Sequence, residues 1–183
     1  MKYKFFLFLI IFNYLSYSSP MAYIYHGPET ANDKRYEYEW TLLKEALEIT
    51  RSSYGNYVLK PSKYQMNGLR RDLELEKDSG KLTVILGIGT EEREKKLLPV
   101  RIPLDKGLLG YRIFIINKAN QGNFLQINTL KDLQKYKVGQ QLGWGDIEVW
   151  KANGFKVETV NNYEGLFNVL LSGRYDIFPR GIL

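Results

Sequence analysis

Leu82-Thr83-Val84-Ile85-Leu86 is a short, almost unbroken apolar run set between Ser79-Gly80 and Gly87-Ile88-Gly89. A strand covered on both faces reads this way, and such strands belong to parallel sheets. Parallel neighbours are joined by long crossovers, so helices are expected upstream. Gln65–Asp78 reads as one, with Met66, Leu69 and Leu73 turned inward. Asn56–Lys60 reads as a strand stopped by Pro61. Before it, Tyr36, Trp40, Leu43, Leu47 and Thr50 recur at helical spacing on one face, and Asn32 suits the N-cap of that helix. Tyr23–Tyr25 is a short strand. The order is therefore βαβαβ, a small α/β lobe.

Downstream the rhythm pauses and restarts. Leu97–Pro103 is apolar but broken by prolines, and Gly107–Asn117 reads as one long strand. Asn120–Asn123 is turn-rich, after which Thr129-Leu130-Lys131-Asp132 has the pattern of a capping box. Tyr136–Gln140 reads as a strand, and Gly145–Ala152 as a helix closed by Asn153-Gly154. Phe155–Val160 alternates with the period of a strand. Tyr163, Leu166, Phe167, Leu170 and Leu171 mark the buried face of a helix that ends at Gly173, and Asp176–Phe178 begins another strand. The fold class is α/β in two lobes. Lobe 1 spans residues 23–107, and a hinge strand with a partial lobe 2 spans residues 108–183. A cleft between lobes is a favoured seat for a small ligand.

Composition removes several chemistries. With no cysteine, there are no disulfides, cysteine–metal sites, cysteine nucleophiles or lipid attachment through an N-terminal cysteine. A single histidine, His26, rules out a multi-histidine metal site, and no cofactor is expected. Gly87-Ile88-Gly89 lacks the third glycine of a dinucleotide loop. Ser52, Ser53 and Ser79 have no histidine partner suited to a triad, so an enzyme is not expected. The net charge of +6 is spread without dense basic clusters, which argues against a nucleic-acid partner.

Two of those charges, Lys2 and Lys4, precede the apolar run Phe5–Leu15. Small residues follow in Ser16-Tyr17-Ser18-Ser19-Pro20-Met21-Ala22. These are the parts of a secretory signal over residues 1–22, with cleavage expected after Ser18 or Ala22. The run is too short for the ~20 residues of a spanning helix. The mature chain is expected in the periplasm as a monomer that is not a lipoprotein.

Several segments, taken in order, resemble a known family. Thr90-Glu91-Glu92-Arg93-Glu94, Leu97-Leu98-Pro99-Val100 and Gly107-Leu108-Leu109-Gly110-Tyr111 resemble the hinge region of type II periplasmic solute-binding proteins. Leu130-Lys131-Asp132-Leu133, Val138-Gly139-Gln140 and Gly143-Trp144-Gly145-Asp146 resemble the start of their second lobe. Asn161–Leu166 and Leu171–Asp176 resemble its helix-to-strand passage. Within that class the chain is similar to the extracellular solute-binding family 3 group, which includes polar amino acid receptors.

The resemblance implies a periplasmic binding protein-like II fold, incomplete at its C-terminus, with a small solute between the lobes and a membrane permease of the ABC type as partner. It implies that the arginine of the Thr-x-x-Arg pattern, here Thr90 to Arg93, holds a ligand carboxylate, as a guanidinium does well. Arg93 also reads as a solvated helix charge beside Glu91, Glu92 and Glu94. Trp144, Gly145 and Asp146 open a helix whose free N–H groups attract anions, with Trp144 able to stack on a flat ligand; a plain turn with a packed tryptophan reads equally well. Tyr25 and His26 stand at the end of the first strand, the end that faces the cleft in such folds.

Where amino acid receptors carry an acid for the ligand ammonium, this chain has Phe178-Pro179-Arg180-Gly181. Arg93 and Arg180 together point to an anionic solute. Two further readings stand beside transport: an orphan ligand-sensing module, and a lytic or dehydratase-type enzyme relative.

Overall fold

The computed structural model describes residues 19–182, so the expected export segment up to Ser18 lies outside the described residues. Two separate sheets carry the fold. The first pairs β1 (Met21–Tyr25) in parallel with β2 (Tyr57–Pro61), with α1 (Glu37–Tyr54) as the crossover. It is followed by α2 (Gly68–Glu76) and the single turn α3 (Glu91–Glu94). The second sheet has the order β3-β6-β4-β5, with β3 (Arg112–Ile116), β4 (Val138–Gln141), β5 (Val157–Val160) and β6 (Ile177–Gly181). β4 runs parallel to β5 and β6, whereas β3 runs antiparallel to β6. Helices α4 (Gln121–Phe124), α5 (Leu130–Leu133), α6 (Asp146–Ala152) and α7 (Tyr163–Leu171) belong to this half. Met21 and Ala22, at the edge of the expected export segment, are residues of β1 and pair with Tyr57 and Val58.

The second lobe has a dry core. Leu166 and Leu170 of α7 pack with Tyr175 and with Phe178 of β6, and Ile115, Val160 and Phe167 close around them. Each such side chain contributes about 1.5–3 kcal/mol of burial. Asn162 caps α7 by accepting from Gly165 N at 2.7 Å. The capping box at α5 is present: Asp132 N donates to Thr129 Oγ1 and Thr129 N donates to Asp132 Oδ2. Tyr175 lies flat across Gly139 of β4, and its hydroxyl donates to the carbonyl of Leu166. A Cβ at Gly139 would stand inside the tyrosine ring.

The first lobe is held differently. Its fully enclosed residues are Leu82, His26, Arg71 and Glu74, three of them polar. The sequence placed Leu69 and Leu73 of α2 inward, yet both are about half exposed, and Arg71 and Glu74 take the inner face. Glu74 is paired with Arg70 and Lys81, and Arg71 lies over the ring of Tyr36, so charge pairing outweighs the apolar period. For α1 the period holds: Tyr36, Trp40, Leu43 and Leu47 form the inner side, while Thr50 is exposed. Its N-cap is Tyr36, without a side-chain bond, in place of Asn32.

Leu82–Leu86 is not a strand, so the observed order is βαβα followed by an extended segment. Thr83 explains why. Its hydroxyl accepts from Ile24 N at 2.8 Å and donates to Ala22 O, while Thr83 N and Val84 N both donate to Ile24 O. The side chain takes over bonds that a ladder would make from backbone. Pro61, expected to stop β2, is its last residue, at a strand end where a missing N–H is tolerated. Gly107–Asn117 yields only β3, because Leu108–Gly110 winds into a 3₁₀ turn after Lys106 and Gly107 take positive φ. Leu171 faces solvent at the end of α7.

Gly139→Ala is expected to destabilise the protein by about 2 kcal/mol or more, since the methyl meets the Tyr175 ring in a packed core. Urea unfolding followed by circular dichroism measures this, and an unchanged midpoint would refute the packing described.

Candidate functional site

The two lobes meet along a narrow seam. A Cβ on Gly68, at the start of α2, would lie 2.9 Å from the carbonyl oxygen of Gly143 in the loop after β4. Gly143 has φ 87°, and a Cβ there would lie 2.6 Å from Leu69 N. Backbone thus touches backbone, which only glycine permits. Ile88 packs over Gly145 nearby. A polar cavity of about 390 Å³ opens along the seam, lined by Glu29, Gln65 and Asn67 from lobe 1 and by Asn161, Asn162 and Glu164 from lobe 2. Cavities of this size suit small ligands.

The loop between β1 and α1 supplies the charged edge of lobe 1. Arg35 grips Asp33 with two bonds of 2.7 Å and reaches Glu29 at 3.1 Å. Glu29 N donates to Asp33 Oδ2, and Gln65 Nε2 donates to Glu29 O. Burial works against the charge on Asp33, but the bonds from Arg35 and from Glu29 N–H hold its carboxyl down at about 2. Burial likewise opposes the charge on Arg35, and its bonds to Asp33 and Glu29 outweigh it, leaving its pKa above the usual arginine value. The Arg35 guanidinium lies 3.7 Å above the ring of Tyr163 in lobe 2. Its Nη1 is enclosed and has no hydrogen-bond partner among the described residues.

Arg180 stands near the same ring. Its guanidinium is within about 5.5 Å of the Trp144, Tyr163 and Phe178 rings, the range of cation–π attraction. It makes no ion pair among the described residues. Burial lowers its pKa, Tyr163 opposes this, and the charges of Arg35 and Arg112 push it lower still. Arg112 is neutralised by Asp146 at 2.6 Å, at the first turn of α6. An alternating series of arginines and tyrosines (Arg71, Tyr36, Arg35, Tyr163, Arg180) thus crosses from one lobe to the other. Within that series Arg180 is flanked by aromatic faces and has no acid partner among the described residues, so its charge can attract an anion.

Two sheets, a seam at the ends of β1 and β4, and a long crossover between the halves can be compared with solved structures. An ancestral arginine-binding protein bound to arginine superposes with a TM-score of 0.52 at 23% identity, covering 87% of this chain and 69% of that one. An amino acid ABC transporter substrate-binding protein from Streptococcus pneumoniae, bound to L-arginine, gives 0.57 at 17% identity, over 88% and 67%. An ancestral amino acid-binding protein described as a precursor of cyclohexadienyl dehydratase gives 0.58 at 18%, over 89% and 71%. The fold is that of the type II periplasmic binding proteins. No family model matches the sequence, and no curated protein does.

In this binding-protein fold the residues singled out from sequence fall into three groups. Trp144, Gly145, Asp146 and Arg180 come together at the lobe 2 side of the seam. Thr90 and Arg93 lie in and beside α3, where Thr90 Oγ1 accepts from Arg93 N. The Arg93 fork is occupied by Asp72 at 2.6 and 2.9 Å, and Nη1 donates to Ile88 O, so it braces the loop that touches Gly145. Tyr25 and His26 line a separate aromatic groove of about 590 Å³ with Trp40 and Tyr57. Tyr25 stacks on Trp40 at 4.6 Å. Glu29, Arg35, Gln141 and Tyr163 were not singled out. Their one sequence signal was the position of Glu29 and Arg35 in the loop leaving β1, at the cleft end of a parallel strand.

His26 is enclosed edge-on between Tyr36 and Trp40, and neither ring nitrogen has a partner among the described residues. Burial first, then the charges of Arg71 and Arg35, lower its pKa to about 3. Between pH 6.5 and 3 the unfolded chain therefore binds a proton that the folded chain does not. Stability is expected to fall as pH drops below 6.5, by up to about 1.4 kcal/mol per unit. His26→Phe, which keeps the edge-on packing, should flatten that slope in urea titrations between pH 7 and 5; an equal slope in both proteins would contradict a buried neutral imidazole.

Proposed function

We propose that this chain is an exported solute-binding protein that captures a small anionic, amino-acid-like solute between its two lobes for an ABC-type uptake system. The observation that carries the reading is Arg180 at the seam, a cation without an acid partner among the described residues and set among the Trp144, Tyr163 and Phe178 rings. A carboxylate bound at Arg180 would supply that partner. Trp144 and Tyr163 would flank the body of the solute. Arg93, bound to Asp72, acts in this reading by setting Ile88 against lobe 2.

The solved neighbours are chiefly binding proteins for amino acids, which supports capture over turnover. Among the described residues no group of acids and histidine is arranged to hold a metal, and His26 is shut away from the seam. The reading takes the chain as a monomeric binder with a membrane permease as partner. Among the described residues no helix is long and apolar enough to cross a membrane. Of the two cleavage points, Ser18 fits better than Ala22, because removal through Ala22 would strip two paired residues from β1.

Calorimetric titration of the processed protein with amino acids and with mono- and dicarboxylates tests this. At least one carboxylate should bind, and Arg180→Gln should weaken it by about tenfold to a hundredfold, the range for a lost charge-assisted bond. Arg93→Ala should weaken it less. A panel that fails to bind, or equal affinity in Arg180→Gln, would sink the reading.

A further inference from the structure

Glu29 belongs to lobe 1 in sequence and to lobe 2 in its bonding. Its carboxylate accepts from Gln141 Nε2 at 3.0 and 3.2 Å and from Tyr163 N at 3.1 Å, across separations of 112 and 134 residues. Gln141 is fully enclosed at the end of β4, and Tyr163 is the first residue of the nine-residue helix α7. The carboxylate thus fills a set of donors that lobe 2 presents toward the seam, and a helix N-terminus favours negative charge there. From its own side the Glu29 backbone is fixed by bonds to Asp33 and Gln65, and its carboxylate by Arg35. A side chain so braced loses little freedom when it crosses, which makes the contact effective. The lobes also touch nearby, where Gly68 meets Gly143.

We infer that Glu29 is a latch that holds the two lobes closed without any solute. It supplies from within the chain the bridging anion that would otherwise have to arrive with a ligand. Lobe 1 offers the carboxylate, lobe 2 offers an amide and a helix N–H, and Arg35 ties the carboxylate to the lobe that carries it. Opening the seam means giving up these bonds, so they favour the closed form. The latch does not depend on which solute the cleft takes, and its test needs none.

The chain has no cysteine, so Glu45→Cys on α1 and Asn168→Cys on α7, both exposed, give two clean positions for spin labels. Pulsed electron resonance then reads the distance between lobes in the solute-free protein. The parent should show one short, narrow distribution. Glu29→Gln and Gln141→Met, which cut the latch from opposite sides, should each add a longer component and raise its share by about tenfold, as expected for lost charge-assisted bonds. Circular dichroism confirms that each variant is folded; if one is not, the other decides. A parent that is already open, or variants with the parent distribution, would overturn the latch. Either result leaves the carboxylate titration against Arg180 unaffected, so the two ideas fail separately.

Discussion

A guanidinium taken out of water must bring a carboxylate or another source of negative potential with it. The seam of this protein is organised by that requirement. Arg93 has Asp72, Arg112 has Asp146, and Arg35 has Asp33 and Glu29. Where acids run out, ring faces take their place, as Tyr36 does for Arg71 and as Trp144, Tyr163 and Phe178 do for Arg180. Rings are weaker partners than carboxylates, so the two kinds of arginine differ in what they still require. Those with acids build the frame, and the two with rings alone, Arg71 and Arg180, are left without a carboxylate among the described residues.

The second lobe was legible because its elements obey short-range rules. The Thr129 box, the Asn153-Gly154 stop, the Asn162 cap and the period of α7 each follow from side chains within a few residues of one another. Gly139 was visible as part of a resemblance, although its reason, the Tyr175 ring laid across it, is a contact over a long stretch of chain. The first lobe was less legible. An apolar period in α2 suggested that Leu69 and Leu73 point inward, but Glu74 collects Arg70 and Lys81, and that pairing decides which face is covered. The apolar run at Leu82–Leu86 has the composition of a strand. A single hydroxyl, that of Thr83, diverts the bonds that would have made it one.

The functional residues divide in the same way. Arg180 stood out because it occupies a place where an acid was expected. Glu29, Arg35 and Gln141 gave no such sign, since nothing in a loop reading Glu-Thr-Ala-Asn-Asp-Lys-Arg tells which of its charges will meet a partner more than a hundred residues away. Arg93, chosen for a carboxylate, found one inside the chain in Asp72.

The two halves rely on different forces, and this has a consequence for how the molecule answers its surroundings. Apolar burial weakens on cooling, whereas pairing between charges is weakened by dissolved ions. Leu166, Leu170, Tyr175 and Phe178 therefore make one half the cold-sensitive part, and the network around Glu74, Asp72 and Asp33 makes the other the brine-sensitive part. Chill and salt would therefore strain the two halves of this protein by separate routes.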